Sequence, residues 1–215
     1  MISKIAFFID VDNTLINNDQ IKEEIKKSLT QVLGEKEALH FWHHHDEFRS
    51  YEKFVDFPKI IRQYCSEKHE DRCELVFNKI FDNIGFAKAT YPKVKEVLAH
   101  LKAIGSVNLF TEGDMVYQRK KIEKSGIAEL VDNTFLFEHK IDHLKELISK
   151  FSGFKKIFID DRALLLVEIK KQYPEIFAIE VAQGHYSSID HTEHQELDEK
   201  VGSINELLQF EKNQI

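Results

Sequence analysis

Five short stretches of the chain are almost continuously apolar: Ile5–Ile9, Val107–Phe110, Thr134–Phe137, Lys156–Ile159 and Ile176–Val181. They are built from Phe, Ile, Val and Leu with little polar alternation. Strands buried on both faces look like this, and a parallel sheet covered by helices provides two buried faces. Between the later stretches the period lengthens to that of a helix. Val94, Val97, Leu98, Leu101 and Ile104 keep it and stop at Gly105, a residue suited to the position after a helix. Helices are also expected over Asp114–Lys124, over Ile141–Phe151 and over Ala163–Lys171 ahead of Pro174, with a terminal helix over Asp198–Gln214. Strands alternating with helices predict an α/β fold with a doubly wound, Rossmann-like parallel sheet.

One region departs from this alternation. After the first strand no second one appears until Val107, and helical patterns fill the gap. Ile21, Ile25, Leu29 and Val32 mark one helix, ending at Gly34. Leu39, Trp42 and Asp46–Phe48 suggest a second, Pro58 to Cys65 a third, and Leu75, Val76 and Ile80 a fourth. Residues 17–88 therefore read as an all-helical insertion, and residues 1–16 with 89–215 as the core domain. No low-complexity linker marks these borders, so they hold only to within several residues.

The chain has 215 residues, enough for one large domain or one domain with an insertion. Its 30 Lys and Arg against 37 Asp and Glu give a net charge of −7, which speaks against a nucleic-acid backbone or an anionic membrane as partner. With 8 glycines and 3 prolines, turn-formers are scarce, which argues for long helices over a many-stranded sandwich. Neither a secretory h-region nor a run of about 18 apolar residues is found, so a cytoplasmic protein is expected. Cys65 and Cys73 show no C-x-x-C spacing and are expected to be half-buried thiols without chemical work.

The chemistry-bearing residues fall at strand ends. Asp10-Val-Asp12-Asn-Thr14 follows the first apolar run, and in an extended segment Asp10 and Asp12 project to the same side. Two neighbouring carboxylates repel unless a cation or a shared proton relieves them, and Mg2+, which takes oxygen ligands, is well suited. Taken alone, the tripeptide could equally be a turn and helix cap. Thr111-Glu112-Gly113 ends the second strand just before a helix, where backbone N–H groups and a hydroxyl can hold a phosphate; capping by Thr111 or Asp114 is the alternative. Lys140 follows the third strand and Asp160-Asp161 ends the fourth. All four lie at the carboxyl edge of the sheet, where open α/β folds bind ligands.

In this order, Asp-x-Asp-x-Thr, strand-Thr, Lys and Asp-Asp resemble the four motifs of the haloacid dehalogenase superfamily of phosphohydrolases, over about Ile5 to Val181. The helical insertion resembles the family's cap inserted after the first motif. The resemblance implies a Mg2+-dependent phosphatase acting on a small-molecule phosphate ester, with Asp10 as nucleophile and Asp12 as acid and then base. An acid at Asp12 resembles the phosphatases, since the phosphonate-cleaving and dehalogenating branches differ there. The resemblance further implies that Thr14 ties down the turn and that Thr111, Glu112, Gly113 and Lys140 receive the phosphoryl group. Mg2+ would lie among Asp10, the backbone carbonyl of Asp12, Asp161 and, directly or through water, Asp160. No acid follows three or four residues after Asp161, where Leu164 and Leu165 stand, so the fourth motif resembles the paired-Asp variant, and Asp161 is favoured as the direct ligand. Lys120 and Lys121 rival Lys140.

A catalytically weak phosphate-ligand-binding module of the same fold and a phosphomutase remain as alternatives. The histidines of His40-Phe-Trp-His-His-His45 suit a solvated or substrate-facing helix better than a metal site, because three successive helical residues point about 100° apart. Phe41 and Trp42 are expected in the core of the insertion, and His185, His191 and His194 in a loop. Oligomeric state is not readable from the sequence.

Overall fold

The computed structural model describes residues 4–52, 57–68, 72–189 and 192–212. Strands β1 (Lys4–Ile9), β2 (Ser106–Glu112), β3 (Asn133–Phe137), β4 (Phe154–Asp160), β5 (Phe177–Val181) and β6 (Glu199–Val201) form one sheet. Their order is β3-β2-β1-β4-β5-β6 and every pairing is parallel. The chain steps outward from β1 through β2 to β3, then crosses to β4 on the other side of β1. The carboxyl ends of β1 and β4 therefore border the point where the winding reverses, which is where such sheets open a ligand crevice.

The continuous apolar character of β1 has the expected cause. Ile5, Phe7 and Ile9 join one buried cluster, while Ala6 and Phe8 join another on the opposite face. Phe8 stacks on Phe158 with ring centroids 4.9 Å apart and meets Phe151 edge-on at 4.9 Å. Both faces of the central strand are thus dry, which fixes its position and with it the residue that follows, Asp10.

Helices α1 (Asn18–Leu33), α2 (Glu35–Glu52), α3 (Phe57–Lys68) and α4 (Cys73–Asp82) occupy the interval between β1 and β2. Asn17 starts α1 by accepting the Gln20 N–H at 2.9 Å. The expected apolar markers are right about the existence of the helices and partly wrong about their inward faces. Val32, Leu39 and Leu75 are 56%, 65% and 67% exposed. Ala38, Phe41 and His45 form the buried stripe of α2, while Cys73, Phe77, Ile80 and Phe81 bury α4. The packing partners of each face, which periodicity does not reveal, decide the phase.

Helix α5 (Val94–Ile104) leads into β2, followed by α6 (Met115–Ser125), α7 (Leu144–Lys150), α8 (Ala163–Gln172) and the one-and-a-half-turn α9 (Gly184–Ile189). Ile141–His143, expected to start α7, instead belong to a tighter 3-10 turn over Lys140–His143. The terminal helix expected over Asp198–Gln214 does not form: Glu199–Val201 pairs with β5, and a 3-10 turn over Ile204–Gln209 begins at a Ser203/Glu206 capping box. A three-residue strand with only Val201 fully buried leaves no legible period. His185, expected in a loop, belongs to α9, along with Ser187 and Ser188. Cys65 and Cys73 are not free thiols but a disulfide joining α3 to α4, with Cα atoms 5.5 Å apart. Packing of α3 against α4 brings the two residues together, a closeness their spacing does not disclose. Among the described residues no helix is long and apolar enough to cross a membrane.

Gly105 follows α5 as expected, for a different reason than a left-handed cap. Its backbone is extended, and a Cβ there would lie 2.5 Å from the Ile5 carbonyl oxygen. Gly105→Ala should therefore push α5 away from β1 and cost about 1–3 kcal/mol, seen as a melting temperature lowered by several degrees. Gly34→Ala, at φ 82° with nothing within 4 Å, should cost less in the same thermal melt.

Candidate active site

The β1–β4 ladder delivers the first acid. Asp10 N–H donates to the Ile159 carbonyl at 2.9 Å, so the residue leaves the strand in register with Asp160 and Asp161. All three aspartates are buried, and one ligand oxygen of each lies within 4.8 Å of the others. Lys140 reaches this cluster from the loop after β3. Its Nζ, fully buried, donates to Asp10 Oδ1 at 2.5 Å, to Asp160 Oδ2 at 2.6 Å and to the Phe110 carbonyl at 3.1 Å.

Glu112 braces that arrangement. Its Oε2 accepts the Lys140 backbone N–H at 3.0 Å, and its Oε1 accepts Arg162 Nη1 at 2.8 Å. Arg162 in turn donates its backbone N–H to Asp160 Oδ1 at 2.9 Å. Four carboxylates thus face two cations around one point.

The electrostatic consequences differ from acid to acid. Burial raises Asp10 to about 7, with Lys140 pulling it down and Asp160 pushing it up. Burial also raises Asp161, to about 9, and the charges of Asp160 and Asp10 add to the rise. For Asp160 burial acts upward as well, but Lys140 and Arg162 outweigh it and hold the carboxyl below its usual range. Burial works against the charge of Lys140, and Asp10 and Asp160 overcome it, so its pKa is raised. Asp160 is therefore the carboxylate the protein itself satisfies, and Asp161 the one it does not: Asp161 Oδ2 is buried without a hydrogen-bond partner. A hard divalent cation fits an all-oxygen donor set with an orphaned carboxylate oxygen and two surplus negative charges. Among the described residues this is the one group of three or more acid, His or Cys side chains able to hold a metal ion.

The other expected residues distribute unevenly. Asp12 lines the same cleft, but its carboxylate is not part of the three-acid cluster; its Oδ1 accepts Lys121 Nζ at 2.6 Å. Thr111 is buried, and its Oγ1 accepts Gln118 Nε2 at 3.0 Å, leaving the hydroxyl proton to donate into the cleft. Gly113 N–H donates to the Phe137 carbonyl at 2.9 Å, so it is not open to a phosphoryl oxygen as expected; the residue is needed at φ 141° to turn the chain. Glu112 acts through its side chain, on Lys140 and Arg162. Thr14 does not tie down the turn through its hydroxyl, which has no hydrogen-bond partner. Gln183 does that work instead, its Nε2 donating to the carbonyls of Asn13 and Thr14 at 3.0 and 2.8 Å. Asn13 helps by accepting the Asn18 N–H at 2.9 Å from a left-handed backbone, φ 59°. Asp114 caps α6 by accepting the Tyr117 N–H at 2.6 Å. Of the rival lysines, Lys120 pairs with Asp82, away from the acids.

The cleft over these groups has a volume of about 160 Å³. Lys22, His45 and Phe57 bring the helical insertion to its wall, and Arg162, Tyr117 and His185 close other sides. His45 is the buried member of the histidine run, stacked on Trp42 at 4.4 Å. His40 and His44 have Nε2 atoms 3.3 Å apart, and Phe41 is core, as expected. His194 lies outside any helix, and His191 lies outside the described residues. Sequence reasoning missed Arg162 and Gln183, and offered Lys121 only as a rival for the place of Lys140, not as the partner of Asp12. Only Arg162, adjacent to Asp161, carried a positional hint.

The fold has counterparts among solved structures. A haloacid dehalogenase-like hydrolase of Burkholderia xenovorans is similar over 97% of this chain and 99% of its own, at 25% identity and a TM-score of 0.88. A HAD-hydrolase of Bacillus subtilis solved with magnesium bound shares the fold at 12% identity, over 95% of this chain and 97% of its own, with a TM-score of 0.64. L-2-haloacid dehalogenase of Xanthobacter autotrophicus does so at 13% identity, over 95% and 97%, with a TM-score of 0.61. No curated protein matches the sequence. The family model of the haloacid dehalogenase-like hydrolases matches residues 6–178, and the chain belongs to that family.

Proposed function

We propose that this hydrolase is a Mg2+-dependent phosphatase of a small-molecule phosphate ester, working through an aspartyl-phosphate on Asp10. The observation that carries the reading is the buried Asp10–Asp160–Asp161 cluster with Lys140 bridging two of its members and Asp161 Oδ2 unsatisfied. Asp12 at the cleft wall favours phosphate esters over the haloacid substrate of the Xanthobacter relative, because an alkoxide leaving group needs a proton and a halide does not.

Asp10 attacks phosphorus in line with the ester oxygen, and the P–O bond breaks as the Asp10–phosphorus bond forms. Asp12 gives the departing oxygen its proton. It then takes a proton from the water that attacks the phosphoryl-enzyme, which releases inorganic phosphate and restores Asp10. The Thr111 hydroxyl, on the cleft wall, donates to a phosphoryl oxygen as charge redistributes, while Lys140, buried beneath the cleft, balances the charges of Asp10 and Asp160. Asp10 and Asp161, with the backbone carbonyl of Asp12, would hold Mg2+, and Asp160 is positioned by Lys140 and Arg162 to support them. When bound, the cation neutralises the repulsion between a carboxylate nucleophile and a phosphate dianion. Residues 17–88 serve as the cap, whose Lys22, His45 and Phe57 exclude water over the reacting atoms.

Asp10→Asn should abolish phosphate release from p-nitrophenyl phosphate in Mg2+ while its circular dichroism matches the wild type; turnover persisting in the variant refutes Asp10 as nucleophile. Wild-type turnover should likewise vanish in EDTA and return on adding Mg2+. Protons and metal compete for Asp10 and Asp161, both raised above the ordinary carboxylate range. Raised pKa values mean that protons still occupy these oxygens at neutral pH and leave as pH rises. Mg2+ affinity measured by calorimetry should therefore increase from pH 6 to pH 9, by up to about tenfold per pH unit for each proton displaced. A flat profile would show that the acids are already ionised.

A further inference from the structure

Helix α6 carries a second buried ammonium that the reaction as described leaves without a task. Lys121 is 1% exposed, and its Nζ donates to Asp12 Oδ1 at 2.6 Å and to Asn18 Oδ1 at 3.1 Å, with the Tyr117 ring centroid 5.1 Å away. Its hydrogen-bond partners differ from those of Lys140, whose Nζ serves Asp10, Asp160 and the Phe110 carbonyl. The two lysines thus divide the acids of the first loop between them. Burying an ammonium is unfavourable unless it is paired, so this placement holds only with Asp12 in its present orientation.

We propose that Lys121 is the positioning residue for Asp12. It clamps Oδ1 and so turns Oδ2 toward the leaving oxygen of the ester. The inference rests on the phosphatase reading above and adds to it the residue that governs how basic a leaving group the enzyme can expel. A carboxyl group turns freely about its last torsion, whose preference is broad and two-fold. A short charge-assisted hydrogen bond from a buried ammonium removes that freedom. The Asp12 side chain lines the cleft and is 31% exposed, and the oxygen that Lys121 holds is Oδ1. Asn18 supplies a further anchor. As the first residue of α1 it links the clamp to the point where the chain enters the helical insertion, and its own N–H is held by Asn13.

The proton inventory is simple. When the P–O bond breaks, its electron pair stays on the leaving oxygen, which takes the proton of Asp12 Oδ2. Asp12 is then an anion facing the Lys121 ammonium. In the second half-reaction the proton of the attacking water returns to Asp12. Lys121 keeps all its protons throughout.

The test compares two esters of similar shape, phenyl phosphate and p-nitrophenyl phosphate, in Mg2+. Phenolate is the more basic leaving group and needs the proton; nitrophenolate leaves without it. In Lys121→Met, kcat/KM for phenyl phosphate should fall by roughly tenfold to a hundredfold, the scale of a misplaced general acid, and for p-nitrophenyl phosphate by only a few-fold. In an Asp12→Asn background Lys121→Met should then add almost nothing, since the residue acts through Asp12. Equal losses on both esters, no loss on phenyl phosphate, or a full additive loss in the Asp12→Asn background would overturn the assignment. If circular dichroism shows that the Met variant does not fold, Lys121→Gln is read against the same outcomes. A wild-type protein inactive on both esters would instead refute the phosphatase reading itself, whereas an active wild type with equal losses refutes only the role of Lys121.

Discussion

Three carboxylates drawn out of water to one point repel each other, and Lys140 is the interaction that makes their burial tolerable. Its ammonium lies 2.5 Å from Asp10 and 2.6 Å from Asp160, and its own backbone is pinned by Glu112. Buried ion groups survive when every charge is matched and hydrogen-bonded. Here the matching is deliberate in its incompleteness: Asp160 is satisfied by Lys140 and Arg162, while Asp161 is left with an unpartnered oxygen. The uneven treatment of two adjacent aspartates separates a supporting acid from one that can take a cation.

The sheet makes this possible. Parallel strands send their carboxyl ends to the same edge, so residues far apart in the chain, Asp10, Thr111, Lys140 and Asp161, meet there. The central strand is dry on both faces, which leaves little room for Asp10 to move relative to Asp160. The turn after β1 is then fastened from outside, by Gln183 from beyond β5 and by the Asn13–Asn18 contact at the mouth of the helical insertion. The insertion supplies part of the cleft wall through Lys22, His45 and Phe57, while the buried acids come from the core. The acids and the wall facing them therefore come from different parts of the chain.

Local signals were legible where local physics decides. The five strands were visible because burial on two faces forces an unbroken apolar run, and α5 because one face of it meets the sheet. The carboxylates stood out because each followed such a run. What stayed hidden depends on contacts between distant residues. Val32, Leu39 and Leu75 obeyed a helical period yet face outward, because the phase of a helix is set by what packs against it. Glu199–Val201 was too short to show a period, and Cys65 meets Cys73 because α3 packs against α4.

The sequence alone determined an α/β sheet with a helical insertion and the acids and lysine at its strand ends, since periodicity and position after a strand are properties of neighbouring residues. Only the tertiary structure decided which lysine serves which acid. Lys121 and Lys140 are equally cationic in the sequence, and their partners, Asp12 for one and Asp10 with Asp160 for the other, are chosen by where α6 and the loop after β3 bring them. It also decided that Gly113 spends its N–H on the backbone rather than on a ligand, and that Gln183, not the Thr14 hydroxyl, holds the first turn. Hydrogen-bond partners across a hundred residues are fixed by packing, which no single stretch of chain contains.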